Sequence, residues 1–182
     1  MKFKKLGLSI MLASAVMFST VNSSLVFATA SPISYSGSIE KMQELKVMDK
    51  PTNGEDGIIT RGELVKAIAI ADGLNSTSSN LNGTTIFPDI DANSDLSGYV
   101  NGVVGVGLMY GMPDGYFHPE QGVTMAEMDT IIVRLLGYSD TDTELSKLVW
   151  PNNYIQEAYN LELTTDINLK KNDKLTYTVE AV

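Results

Sequence analysis

Few side chains in this chain have the type and spacing to do chemistry. Asp89, Asp91, Asn93 and Asp95 fall at alternate positions, the spacing of the first four ligands of an EF-hand calcium loop. The rest of that loop is missing, because Ser94 stands where the sharp turn needs glycine and Val100 where a glutamate would chelate the ion. Calcium is therefore one reading of the four, and a solvated loop rich in Asx turns is the other. The single histidine, His118, stands between Phe117 and Pro119 in a turn-rich stretch and reads as a surface loop residue. No second histidine, no G-x-S-x-G and no H-E-x-x-H accompany it, so hydrolase chemistry lacks its parts. With no cysteine, disulfide scaffolds, thiol nucleophiles and iron–sulfur clusters fall away, and structural zinc nearly so. The expectation is a binding module with no catalysis of its own and no cofactor.

Arg61 is the remaining candidate, and its interest comes from the element that places it. Thr60 and Glu63 form a capping box: the hydroxyl accepts from the backbone of the third helical residue, and the glutamate reaches back to the N–H of the threonine. Thr124 and Glu127 repeat the device, and Ile59 and Val123 are placed to staple onto Leu64 and Met128. Arg61 thus occupies a first helical position, where the helix dipole disfavours a cation and free N–H groups point outward. A guanidinium beside such donors makes an anion pocket for a carboxylate or phosphate. The competing reading pairs it with Glu63 or another surface acid. The helix after Thr60 runs through Leu64, Val65, Ile68 and Ala71 to Gly73. The helix after Thr124 carries a Met128, Ile131, Ile132, Leu135, Leu136 stripe, read as its buried face, and stops at Gly137.

The chain has 182 residues, 13 basic against 22 acidic, and a formal net charge of −9. No basic stripe exists to release counterions from nucleic acid, which excludes that partner. Residues 1–30 read as a cleaved secretory signal: Lys2, Lys4 and Lys5, an apolar run from Leu6 to Phe18, and Ala28-Thr29-Ala30 as the cleavage site. Ser19, Asn22, Ser23 and Ser24 break the apolar run before it reaches the roughly twenty residues of a membrane span. No later stretch is a second candidate, so no membrane span is expected after cleavage. Three of the basic residues and none of the acids lie in the signal, leaving an exported product that is more acidic still. An exported chain without cysteine must be stable by packing alone, which suits a bacterial cell surface.

Three stretches share a helix–loop–helix layout. Ile39 to Met48, Tyr99 to Tyr110 and Tyr154 to Leu163 read as first helices, each followed by a turn-rich loop and then by Ile59-Thr60, Val123-Thr124 or Leu175-Thr176. The threonines lie 64 and 52 residues apart. The longer interval contains Asn75 to Thr84, a Ser/Thr/Asn/Gly stretch read as a flexible connection. In the third copy Val179 replaces the capping glutamate.

The middle copy contains Phe87-Pro88-Asp89, Gly107-Leu108-Met109-Tyr110-Gly111-Met112-Pro113-Asp114-Gly115-Tyr116-Phe117-His118-Pro119 and Thr124-Met125-Ala126-Glu127. It resembles the S-layer homology (SLH) repeat of bacterial cell-surface proteins: an F-x-D opening, a helix, a G-I-x-x-G-Y-x-D-G-x-F-x-P loop and a T-R-A-E helix start. The resemblance implies a signal at 1–30, repeat 1 at 31–74 with a degenerate opening, a linker at 75–84, repeat 2 at 85–138, and a divergent, truncated repeat 3 at 139–182. It implies a mainly α fold, a pseudo-threefold array of these repeats around a central helical bundle. It also implies non-covalent attachment to secondary cell-wall polysaccharide, often pyruvylated, in grooves between repeats, on the wall or S-layer of a Gram-positive bacterium. Carried onto this sequence, the glycan-contacting positions are Thr60, Arg61, Gly62, Glu63, Asp89, Gly111, Asp114, Gly115, Thr124, Met125, Trp150 and Tyr177. Met125 and Tyr177 stand where the other two T-R-A-E arginines would be, so one groove keeps its cation and one good site is expected. Trp150 and Tyr177 are the aromatics that could stack on a sugar, with core packing as their other fate. The alternatives are an array that packs against other surface-layer proteins, and an amino-terminal piece of a longer surface protein or enzyme.

Overall fold

The computed structural model describes residues 36–50, 57–74, 79–143, 145–165 and 167–177; the signal at 1–30 and the capping position Val179 lie outside them. The described residues are mainly helical: α1 (Ser36–Glu44), α2 (Arg61–Ala71), α3 (Asp95–Gly105), α4 (Met125–Leu135) and α5 (Asn152–Asn160), with short 3-10 turns at Ser79–Leu81 and Leu145–Lys147. None of these helices is long and apolar enough to cross a membrane.

Helices α2 and α4 start as their capping boxes dictate. In each, the threonine side chain accepts from the third helical N–H and the glutamate returns to the threonine N–H, at 2.8 Å in both. Both stop where glycine takes a left-handed conformation, at Gly73 (φ 77°) and Gly137 (φ 88°). Helices α1, α3 and α5 end alike, on Lys46 (φ 56°), Gly107 (φ 77°) and Glu162 (φ 58°). The next residue donates five positions back in every case: Val47 to Met42, Leu108 to Val103, Leu163 to Ala158. This places the ends of α1 and α3 earlier than the apolar pattern suggests, at Glu44 and Gly105. Helix α3 also begins earlier, at Asp95, where a carboxylate in the first turn suits the dipole.

The segments that lead into the helix starts meet one another. Ile59 N–H donates to Leu175 C=O, Leu175 N–H to Val123 C=O, and Val123 N–H to Ile59 C=O, each at 2.9 Å, so three backbones close a ring. One residue pair further out, Arg61 donates to Gln121, Met125 to Asp173 and Tyr177 to Gly57. Gly62 to Pro119 (2.8 Å) and Ala126 to Lys171 (3.0 Å) extend the same pattern. Isolated antiparallel bridges mark the contacts, Ile58 with Thr176, Thr60 with Gly122 and Thr124 with Lys174.

The core fills in around this ring. Ile59, Val123 and Leu175 join Leu64, Val65, Ile68, Phe87, Val100, Val103, Phe117 and Ile131 in one buried cluster. A smaller cluster joins Val133 of α4 to Leu145, Tyr154 and Ala158. Ser79–Leu81, read from composition as part of a flexible connection, is a 3-10 turn whose Leu81 carbonyl accepts from Asn101 of α3. The α4 stripe also needs correction: Ile131 is buried, but Leu135 and Leu136 are exposed, and the buried positions are Met125, Ala126, Asp129, Thr130, Ile131 and Val133. The first turns of α4 are enclosed on several sides by the ring and by α5, so burial follows depth along the helix rather than one face.

This enclosure buries a carboxyl group. Asp129, five residues after its capping threonine, occupies the place that Val65 fills in α2; it is 3% exposed, and its Oδ1 has no partner among the described residues. Burial pushes its pKa up to about 6. An acid whose folded pKa is raised is no burden while protonated, and its ionisation costs stability as pH climbs from the unfolded value near 4 through about 6. Asp129→Asn is expected to raise stability by about 1–2 kcal/mol at pH 8 and to leave it unchanged at pH 4. Urea unfolding at the two pH values measures this; an equal effect at both would refute the burial penalty.

Candidate functional site

Arg61 is drawn inward by the ring. Its own N–H and that of Gly62 are taken by Gln121 and Pro119, so the helix start offers no free donors there, unlike the expectation from sequence. The side chain is 3% exposed and crosses to the Tyr110–Phe117 loop and the start of α4. Nε donates to the Phe117 carbonyl (2.8 Å), Nη2 to the Tyr110 carbonyl (2.7 Å), and Nη1 pairs with Glu127 Oε1 (3.1 Å), while the guanidinium lies 4.9 Å from the Phe117 ring centroid. Its partner is thus neither Glu63 nor a surface acid but the capping glutamate of the next helix, whose Oε2 serves Thr124. Burial pushes the guanidinium pKa down and Glu127 opposes that shift; arginine stays charged throughout the accessible pH range.

Asp89 holds the same loop from its other side. Its Oδ1 accepts from Phe117 N–H (3.0 Å) and Oδ2 from His118 N–H (2.7 Å). Desolvation would raise its pKa, but these bonds outweigh it and leave the carboxyl below its usual value. Phe117 is therefore fixed by a carboxylate at its N–H and a guanidinium at its C=O. Asp89 is spent on this contact, Asp91 caps an Asx turn onto Asn93 (2.9 Å), and Asp95 opens α3. Among the described residues no group of three or more acidic or histidine side chains could hold a metal ion.

Beside Arg61 lies a cavity of about 340 Å³, bounded by the Met109–Pro113 loop, by Glu127, Thr130, Ile131 and Arg134 of α4, and by Asp140 and Trp150. Of the sequence candidates, Arg61, Gly111 and Trp150 line it. Glycine at 111 has a packing reason, since a Cβ there would lie 2.2 Å from Phe87 Cε1. Trp150 donates its indole N–H to the Thr130 hydroxyl (3.0 Å) and stays 54% exposed. Glu63 and Tyr177 border a second hollow of about 240 Å³ with Lys46, Lys50 and Lys66. Tyr177 is buried, and its hydroxyl bonds to Glu63 as Arg61 bonds to Glu127; burial first, then that acid, push the phenol pKa up. Met125 is buried as well. Thr60, Gly62, Asp89, Asp114, Gly115 and Thr124 border neither hollow: the threonines cap, and Asp114 meets His118 Nε2 at 2.6 Å in the turn made by Gly115 (φ 87°).

Sequence reasoning missed Arg134, Asp140, Thr130 and Glu127 as cavity walls. Arg134 reads as an ordinary cation at a helix C-terminus, and nothing in the spacing ties it to Asp140 or Trp150. An exposed indole beside guanidinium and carboxylate groups suits a polar ring-shaped ligand that presents both hydroxyls and an apolar face.

The family model of the S-layer homology domain matches residues 86–128, the stretch that contains Asp89, the Tyr110–Pro119 loop and the start of α4. Residues 86–128 are an S-layer homology domain. The chain is similar to the middle cell wall protein of Brevibacillus brevis, at 31% identity over 137 residues, 74% of this chain and 13% of that protein. It is also similar to the surface layer protein of Brevibacillus choshinensis, at 35% over 115 residues, 63% of this chain and 10% of that protein. The cell surface protein of Thermoanaerobacter kivui matches at 24% over 183 aligned residues, 94% of this chain and 23% of that protein. The chain thus spans between 10% and 23% of the length of these relatives.

Arg61 clamps the S-layer homology domain from outside the matched stretch, through the Tyr110 and Phe117 carbonyls and Glu127. Arg61→Gln leaves Glu127 buried beside two unmet carbonyls and is expected to cost about 3 kcal/mol, the range for breaking a buried pair from one side. Chemical denaturation of both proteins tests this. A loss under about 1 kcal/mol would mean that the clamp is dispensable.

Proposed function

We propose that the chain anchors itself, and whatever is joined to it, to the bacterial cell wall by binding secondary cell-wall polysaccharide. The observation that carries this reading is the cavity beside Arg61, which a segment outside the S-layer homology domain and the domain itself build together. Its walls supply an indole for the flat face of a sugar and a guanidinium, that of Arg134, for an acidic substituent such as the ketal carboxylate of a pyruvylated residue. The similarity to cell wall, surface layer and cell surface proteins supports a location at the cell surface and a structural rather than catalytic role. The ring of backbone hydrogen bonds supports the division into three repeats, 31–74, 85–138 and 139–182, related by a pseudo-threefold axis. An acidic protein meeting an acidic polymer depends on local cations, not on net charge.

A second reading has its own support. Each side-chain nitrogen of Arg61 has a protein acceptor, while Met125 and Tyr177 are core residues, which is what an array adapted to packing against other surface proteins would retain.

Co-sedimentation with purified sacculi, before and after chemical removal of the secondary polysaccharide, separates the two. The expected result is binding to intact sacculi, loss after stripping, and weakening of about tenfold in Trp150→Ala, in line with the loss of one stacked ring. Sedimentation that survives stripping would instead support protein or peptidoglycan partners.

A further inference from the structure

The cavity contains two arginines, and the structure treats them differently. Arg61 has a protein acceptor on Nε, Nη1 and Nη2 alike. Arg134, from the last turn of α4, donates through Nε to the Tyr154 hydroxyl (3.1 Å) and through Nη2 to Asp140 Oδ2 (3.3 Å). Its Nη1 has no acceptor among the described residues. The guanidinium carbon lies 4.5 Å from the Tyr110 ring centroid and 5.0 Å from that of Tyr154, so two rings hold the plane. The group is 11% exposed, whereas Asp140 is 60% exposed and its other oxygen accepts from the Tyr154 hydroxyl (2.6 Å). An oriented guanidinium with one nitrogen, Nη1, left without a protein acceptor, and paired through a single long contact to a mostly solvated acid, can take on a new anion.

We propose that Arg134, and not Arg61, is the side chain that receives the acidic group of the glycan in this cavity. Arg61 is a positioning residue: it holds the Tyr110 and Phe117 carbonyls and thereby the loop that carries Tyr110 against Arg134. Asp140 orients Arg134 through Tyr154 and competes with the incoming carboxylate for it. The inference rests on the glycan reading above and adds the residue that reads the charge.

The test uses the full chain and two probes, the methyl glycoside of a hexose carrying a 4,6-linked pyruvate ketal and the same glycoside without the ketal. Calorimetric titration of the unmodified protein is expected to favour the ketal by about tenfold or more, the value of a charge-assisted hydrogen bond. Arg134→Gln is expected to erase that preference, with a melting temperature close to that of the parent. Asp140→Asn is expected to tighten ketal binding several-fold, a change that a merely structural Arg134–Asp140 pair would not produce. A preference for the ketal that survives in Arg134→Gln, or weaker ketal binding in Asp140→Asn, overturns the assignment while sacculus binding leaves the anchoring role standing. Absence of binding to both probes and to sacculi overturns both.

Discussion

The closed ring of hydrogen bonds among Ile59, Val123 and Leu175 is the constraint from which the rest follows. Each of these residues immediately precedes a threonine, so joining the three backbones fixes where Thr60, Thr124 and Thr176 leave the ring. No long strand is needed: three residues, each donating to one neighbour and accepting from the other, satisfy their buried backbone groups completely. Their side chains then have nowhere to go but the core, where all three are buried.

Closing the ring also determines what the residue after each threonine can be. At two of the three, that position points across to the capping glutamate of another helix, Arg61 to Glu127 and Tyr177 to Glu63. A glutamate that has one oxygen in a capping box still has a second to satisfy in a nearly dry place. An arginine or a tyrosine hydroxyl meets that need, and a methionine does not. The capping box and the buried pair are therefore one device, in which local helix initiation and long-range assembly share a single carboxylate.

The parts of this architecture that were legible in the sequence are those governed by local chemistry. Thr60-x-x-Glu63 and Thr124-x-x-Glu127 announce helix starts because the cap is made within four residues, and Gly73 and Gly137 announce stops because their backbone conformation is cheap only for glycine. Lys46 and Glu162 take the same left-handed turn without that signal, so the ends of α1 and α5 lie beyond pattern reading. Burial along α4 was misread because a periodic stripe assumes one buried face, whereas here depth in the ring decides, sinking Asp129 and leaving Leu136 in water. At the site, Arg61, Gly111 and Trp150 could be named from type and motif. Arg134 could not, since its significance comes from Tyr110, Asp140 and Tyr154, three residues brought together only by packing.

The division between an arginine with an acceptor on every nitrogen and one with a nitrogen left over bears on the proposed binding of an acidic polymer by an acidic chain. A guanidinium that organises the fold must be fully satisfied, because an open donor at its depth would cost free energy whenever the ligand is absent. A guanidinium that binds must keep a donor open, and so belongs near solvent, where water serves the empty state. One side chain cannot meet both demands well. With Arg61 paired to Glu127 at the start of α2 and Arg134 paired to Asp140 at the end of α4, two cations and two acids line the cavity and their formal charges cancel. Under the proposed assignment, an anion that displaces the exposed Asp140 gains the bond to Arg134 while the cavity needs no uncompensated cation in its empty state.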